Sequence, residues 1–124
     1  MADTQRTDDL LSVLNRLVGE SVAQLQVLGI NSLKSVTPSP SDLVGSEITS
    51  VGAADRVVTV AMGTFAATVD LQRTGRLAWL DKAEPAQIGR PSLPTIRLLL
   101  RSGAGLDFIE PAKTKRIAVT LRAV

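Results

Sequence analysis

The sequence predicts a mainly β domain, α+β in class, in which one helix leads into a run of antiparallel strands. Three observations predict it. From Ser46 onward, apolar and polar residues alternate in short runs separated by turn residues, the period of half-buried strands. One stretch near the N-terminus has its apolar residues at helical spacing instead. The 124 residues are 44% hydrophobic and 21% charged, an ordinary globular balance with enough chain for one core. Residues 1–124 are therefore expected to form a single domain.

Thr7-Asp8-Asp9 reads as a helix start, a capping hydroxyl followed by two acids in the first turn. Leu10, Leu14 and Leu17, with Leu11 and Val18, follow on one face, and Gly19 is a natural stop. The helix is expected over about residues 8–18. Residues 21–28 alternate as a strand, with Val22, Gln24 and Gln26 on one side and Ala23, Leu25 and Val27 on the other. Ser39-Pro40-Ser41-Asp42 resembles a capping box with proline at the first helical position, and Gly45 closes a helix of barely one turn.

Further strands are expected at 46–52, 56–62, 65–71, 75–80, 95–101, 105–109 and 116–123. Met62-Gly63-Thr64 and Ser102-Gly103-Ala104-Gly105 read as hairpin connections. Leu77 with Trp79, Ile96 with Leu98 and Leu100, and Ile117 with Val119 and Leu121 are expected in the core, as are the other two aromatics, Phe65 and Phe108. Arg97, Arg101, Arg116 and Arg122 fall on the opposite faces of their strands. Alternation of this kind describes a sandwich or a barrel with one wet face. Residues 82–94, with three of the six prolines and no periodicity, read as a long exposed loop.

Composition excludes several kinds of chemistry. There is no cysteine, hence no disulfide framework and no thiolate metal site. There is no histidine, which removes the commonest general base and the commonest transition-metal ligand together. No metal or other cofactor is expected. No apolar run approaches the roughly 18 residues of a membrane span, and no basic-then-apolar leader opens the chain. A cytoplasmic protein without a membrane partner is the expectation. The net charge is +2, but it is unevenly spread. Residues 1–55 carry 3 basic and 7 acidic side chains; residues 56–124 carry 11 and 5. A basic second half suits phosphate, although solvated strand faces also account for it.

Four segments, around Leu17-Val18-Gly19, across Ile48 to Val60, across Leu71 to Leu77 and from Ile96 to Pro111, together resemble, in order, the N-terminal domain of the formamidopyrimidine-DNA glycosylase/endonuclease VIII (MutM-like) family. Leu17-Val18-Gly19 resembles the end of that family's first helix. Ile48-Thr49-Ser50-Val51 followed by Arg56-Val57-Val58-Thr59-Val60 resembles its first hairpin. Leu71-Gln72-Arg73-Thr74-Gly75-Arg76-Leu77 resembles its His-Leu-Gly-Met-Thr-Gly-x-Leu turn. The stretch from Ile96 through Gly103-Ala104-Gly105-Leu106-Asp107-Phe108 to Glu110-Pro111 resembles its last hairpin and the Asp-Pro that follows. The resemblance implies a two-layer antiparallel β-sandwich of about eight strands, with an N-terminal helix and one short second helix.

The resemblance also exposes departures. The family uses an N-terminal proline as nucleophile and the next glutamate as acid; here the chain reads Met1-Ala2-Asp3-Thr4. A family lysine at the start of a central strand matches Arg56, which holds phosphate but cannot transfer a proton near neutral pH. The methionine and the arginine-phenylalanine pair that the family pushes into the duplex match Arg73 and Lys113-Thr114, neither an apolar wedge. The family's histidine of the first turn matches Asp70. The sequence ends at Val124, where the family continues with a helix-two-turn-helix module and usually a zinc finger; neither is expected here.

The resemblance therefore implies a catalytically inactive glycosylase-like domain, a pseudoenzyme derived from DNA repair. It would bind double-stranded DNA through a basic face of Arg56, Arg73, Arg76, Lys113, Lys115 and Arg116, and no residue is assigned a catalytic role. Two alternatives stand beside it: a protein-interaction or scaffold module, and a glycosylase/AP lyase completed by a partner subunit.

Overall fold

The computed structural model describes residues 7–29, 32–35, 38–87, 93–110 and 117–123. Helix α1 (Thr7–Leu14) tightens into a 3₁₀ turn over Asn15–Leu17, so the expected single helix is α-helical for only its first two turns. Its apolar face is as read: Leu10, Leu14 and Leu17 are fully buried. Gly19, at φ +92°, reverses the chain. The hydroxyl cap read at Thr7 lies among side chains outside the described ones. The short second helix is one 3₁₀ turn, Pro40–Leu43. The Asp42 carboxylate accepts the Ser39 backbone N–H at 2.8 Å, the reach-back half of a capping box.

Eight strands follow the expected order: β1 (Val22–Val27), β2 (Ile48–Ala54), β3 (Val57–Met62), β4 (Phe65–Asp70), β5 (Arg76–Leu80), β6 (Ile96–Leu100), β7 (Gly105–Ile109) and β8 (Ala118–Ala123). They form two four-stranded sheets, ordered β1-β6-β7-β5 and β2-β3-β4-β8, and every strand pair within them is antiparallel. The two inner faces, together with α1, bury one apolar cluster that includes Val22, Val58, Val69, Leu98, Phe108 and Leu121. A void of about 20 Å³ between the sheets is lined by apolar side chains. It is about the size of one water, so it cannot house a ligand.

Three sequence expectations are corrected by the packing. First, the β1 register slips between Val22 and Gln24, giving β1 one residue more than β6 across this step. This bulge re-phases the strand. Val22 is fully buried and joins Leu25 and Val27 in the core rather than Gln24 and Gln26. Second, Trp79 is only partly buried. The Arg16 guanidinium lies 4.4 Å from its ring centroid, and its indole N–H donates to Asp81, so the ring closes the rim of the core.

Third, the outer face of the first sheet is not wet throughout: the loop after β5 is exposed at Lys82, Glu84, Pro85 and Gln87 as expected, but it is bonded to that sheet. Residues 83–87 run along the outer face of the first sheet. Ala83 N–H donates to Gly103 O at 2.8 Å. The Gln26 side chain exchanges hydrogen bonds with the Ala86 backbone, and Arg97 donates to Glu84 O. Gly105 permits the approach, because a β-carbon there would lie 2.6 Å from the Ala83 Cβ. That face is accordingly not a wet one at Arg97, which pairs with Asp107.

The free edge of β8 is covered in turn. Leu33 pairs with Val119 in parallel, Val119 N–H donates to Ser32 O, and Leu121 N–H donates to the Ser35 hydroxyl, which protects the edge from further pairing. Among the described residues, no helix is long and apolar enough to cross a membrane.

Candidate nucleic-acid interface

Register places three connections at one end of the sandwich. Val57 pairs with Asp70, Asp70 with Ala118, and Arg76 with Ile109. The β2–β3 turn, the β4–β5 turn and both ends of the β7–β8 connection therefore meet there. Two of the expected DNA contacts, Arg56 and Arg73, line one open cleft with Asp55, Val57, Asp70 and Gln72. A third, Arg76, follows the β4–β5 turn as the first residue of β5. Arg73 and Arg76 are exposed; Arg56 is half-buried.

Arg56 does not begin a strand. It is the second residue of a two-residue hairpin turn, with Asp55 at φ 57° and Arg56 at φ 115°. Turns with both central residues at positive φ match the twist of the flanking strands, which is why they close hairpins. Asn-Gly or Asp-Gly signals such a turn in a sequence; Asp-Arg does not.

The turn from Leu71 to Gly75 is fixed on several sides. Leu71 N–H donates to Arg56 O at 2.9 Å, and Gly75 N–H donates to Leu71 O at 3.0 Å. The Asp70 carboxylate accepts the Gln72 N–H at 2.9 Å, an Asx-type contact two residues on, while Gln72 sits at φ 58°. Arg56 Nε donates to Gln72 O at 2.9 Å, and Arg56 Nη2 donates to Gly75 O. The Thr74 hydroxyl donates to the Glu110 carboxylate, which is only 4% exposed. A β-carbon at Gly75 would lie 2.4 Å from Leu71 O and 3.1 Å from the Ile117 side chain.

Lys113, Lys115 and Arg116 lie outside the described residues, as do Met1–Thr4. The residues on either side of the basic segment are described. Glu110 bonds Thr74, and Ile117 packs against Gly75. Both ends of the segment thus start from the turn that carries Arg73. The cleft itself holds two carboxylates beside two guanidiniums, and Arg76 adds an exposed cation at the start of β5. Among the described residues, no group of histidine, cysteine or carboxylate side chains is placed to hold a metal ion.

The sequence reading missed how these residues are used. Asp70 was legible as a turn-former from its place before Gln72-Arg73-Thr74-Gly75. The clamp by Arg56, 16 and 19 residues from its acceptors, and the Thr74–Glu110 bond, 36 residues apart, depend on strand order and carry no local signal.

No family model and no curated protein matches the chain. Solved structures do. A complex between the Lactococcus lactis Fpg and an abasic-site-containing DNA superposes with a TM-score of 0.72 at 12% identity, over 92% of this chain and 41% of that one. The wild-type Lactococcus lactis Fpg (MutM) with an oxidized-pyrimidine-containing DNA gives 0.73 at 13% identity, over 92% and 41%. The chain thus spans about two-fifths of the length of those proteins, and the likeness is one of fold. The two-sheet sandwich implied by the resemblance is the architecture the chain adopts, and by that fold it is similar to Fpg.

Proposed function

We propose that the chain is a catalytically inactive glycosylase-like domain that binds double-stranded DNA through the basic end of its sandwich. One observation carries this reading. Arg56, Arg73 and Arg76 are gathered at one end, and the segment containing Lys113, Lys115 and Arg116 starts and finishes beside the same turn. Exposed guanidiniums such as Arg73 and Arg76 grouped at one end suit phosphate. The Fpg structures of the same fold hold DNA, which supports the same class of ligand here. The inactive reading draws its support from the residues. Arg56 stands where the resemblance puts a lysine, and a guanidinium does not transfer a proton near neutral pH.

The test is fluorescence anisotropy of labelled duplex titrated across salt concentration. Binding is expected at low salt, with log K falling by about 0.9 per phosphate neutralised for each tenfold rise in salt. Absence of binding to duplex, abasic duplex or single strand at low salt would end the reading. Borohydride trapping on an abasic duplex is expected to give no covalent adduct; an adduct would establish a lyase. The protein-interaction reading draws on the cleft's mixed charge, since Asp55 and Asp70 beside the arginines suit a partner carrying both signs better than a phosphate backbone.

A further inference from the structure

We infer that Arg56 is the positioning residue of the basic end: its guanidinium holds the β4–β5 turn in shape so that Arg73 is presented, and it is not itself a phosphate contact. This rests on the DNA-binding reading above. Arg56 grips the turn at three points. Its carbonyl takes the Leu71 N–H, its Nε reaches Gln72 O, and its Nη2 reaches Gly75 O. The two acceptor carbonyls bracket Arg73 and Thr74, the tip of the turn. These are not its only contacts.

Chemistry favours the strut over the phosphate contact. A planar guanidinium presents donors in a fixed fork, and two of its nitrogens here point at protein carbonyls. Asp55 and Asp70 line the same cleft, and a phosphate brought to Arg56 would meet their carboxylates. Arg73 lines the same cleft but differs in its partners. It is exposed, stands at the tip, and has no hydrogen-bond or ion-pair partner among the described residues. Lysine could not replace Arg56, because one ammonium has no rigid fork to span both carbonyls. The hairpin position adds support: φ 115° is uncommon for a residue other than glycine and persists where surrounding contacts over-determine it.

Two measurements on Arg56→Gln, Arg56→Lys and Arg73→Ala separate the roles. In duplex titrations, Arg73→Ala is expected to weaken binding several-fold and to reduce the salt slope by about 0.9. Arg56→Gln is expected to weaken binding with the slope unchanged, and Arg56→Lys to weaken it as much, although its charge is kept. In the free protein, amide exchange at Leu71 and Gly75 is expected to quicken at least tenfold in both Arg56 variants and to hold in Arg73→Ala. A slope lowered by about 0.9 in Arg56→Gln, full binding by Arg56→Lys, or unchanged exchange at Leu71 and Gly75 would overturn the inference. Failure of the unsubstituted protein to bind any duplex removes the DNA reading instead, and exchange still decides whether Arg56 is the strut.

Discussion

Arg97 and Asp107 face each other across β6 and β7 in a two-pronged ion pair, Nε to Oδ1 at 2.8 Å and Nη2 to Oδ2 at 2.9 Å. Asp107 is almost fully buried and Arg97 largely so. A third prong, Arg97 Nη1 to Glu84 O at 2.9 Å, ties the 83–87 strap down. Removing one member leaves a charge without its partner, the costly case for a buried pair. Asp107→Ala is expected to cost about 2–4 kcal/mol in urea denaturation and to open the strap to protease. Replacing both, Arg97→Met with Asp107→Leu, is expected to recover most of that stability while leaving the strap loose, because the Glu84 contact is lost as well.

Glycines give a sharper contrast. Gly75→Ala would press a methyl against Leu71 O and the Ile117 side chain, and the backbone oxygen cannot move without breaking the Gly75–Leu71 bond. The expected loss is about 2–4 kcal/mol. Gly52→Ala meets nothing within 4 Å and is expected to stay within about 0.5 kcal/mol of the parent. Thermal unfolding of the two variants side by side measures the difference. Equal effects would mean that the β4–β5 turn is not as tightly enclosed as described.

Most of the architecture was legible because it rests on strand alternation, and every expected strand is present within about two residues. What escaped notice was whatever breaks local periodicity or depends on distant chain. The extra residue of the β1 bulge moved Val22 into the core. The Asp55-Arg56 turn carries no glycine to announce it. The attachment of the strap was not legible because its partners, Gln26, Arg97 and Gly103, lie elsewhere in the sequence. Arg97 looked solvated because alternation assigns a face but not its cover. For the candidate site, the segments that resemble the glycosylase family placed Arg56, Arg73 and Arg76 together at one end of the sandwich, whereas the bonds from Arg56 to the β4–β5 turn needed coordinates.

Stability is expected to be nearly flat between pH 6 and 8. Histidine and cysteine, the side chains whose ordinary pKa values fall nearest this window, are absent. Arg97 has its pKa raised above the ordinary guanidinium value by the Asp107 hydrogen bond, with burial opposing it. A pKa raised on folding adds stability that is complete below the unfolded value and fades only as pH climbs through the folded one. For Arg97 that fading lies above the ordinary guanidinium range, far outside the window. Melting temperatures across pH 6 to 8 are expected to agree within about 2 °C.

The last prediction separates a basic end from basic character in general. Arg73 and Arg76 stand at the end where Asp70 pairs with Ala118. Arg122 is exposed on the same sheet as Asp70 but pairs with Ala66, four residues and roughly 13 Å along the strand. Arg101 is exposed in the β6–β7 turn at the opposite end of the sandwich. If phosphate is held at the proposed end, Arg73→Ala and Arg76→Ala each weaken duplex binding several-fold, equally for unrelated sequences, and each lowers the salt slope by about 0.9. Arg122→Ala and Arg101→Ala remove the same formal charge and leave both quantities nearly unchanged, since at about 0.15 M salt the screening length is about 8 Å. Anisotropy titrations of the four variants against two duplexes decide it, and equal losses in all four would show that net charge, rather than this end of the sandwich, governs binding.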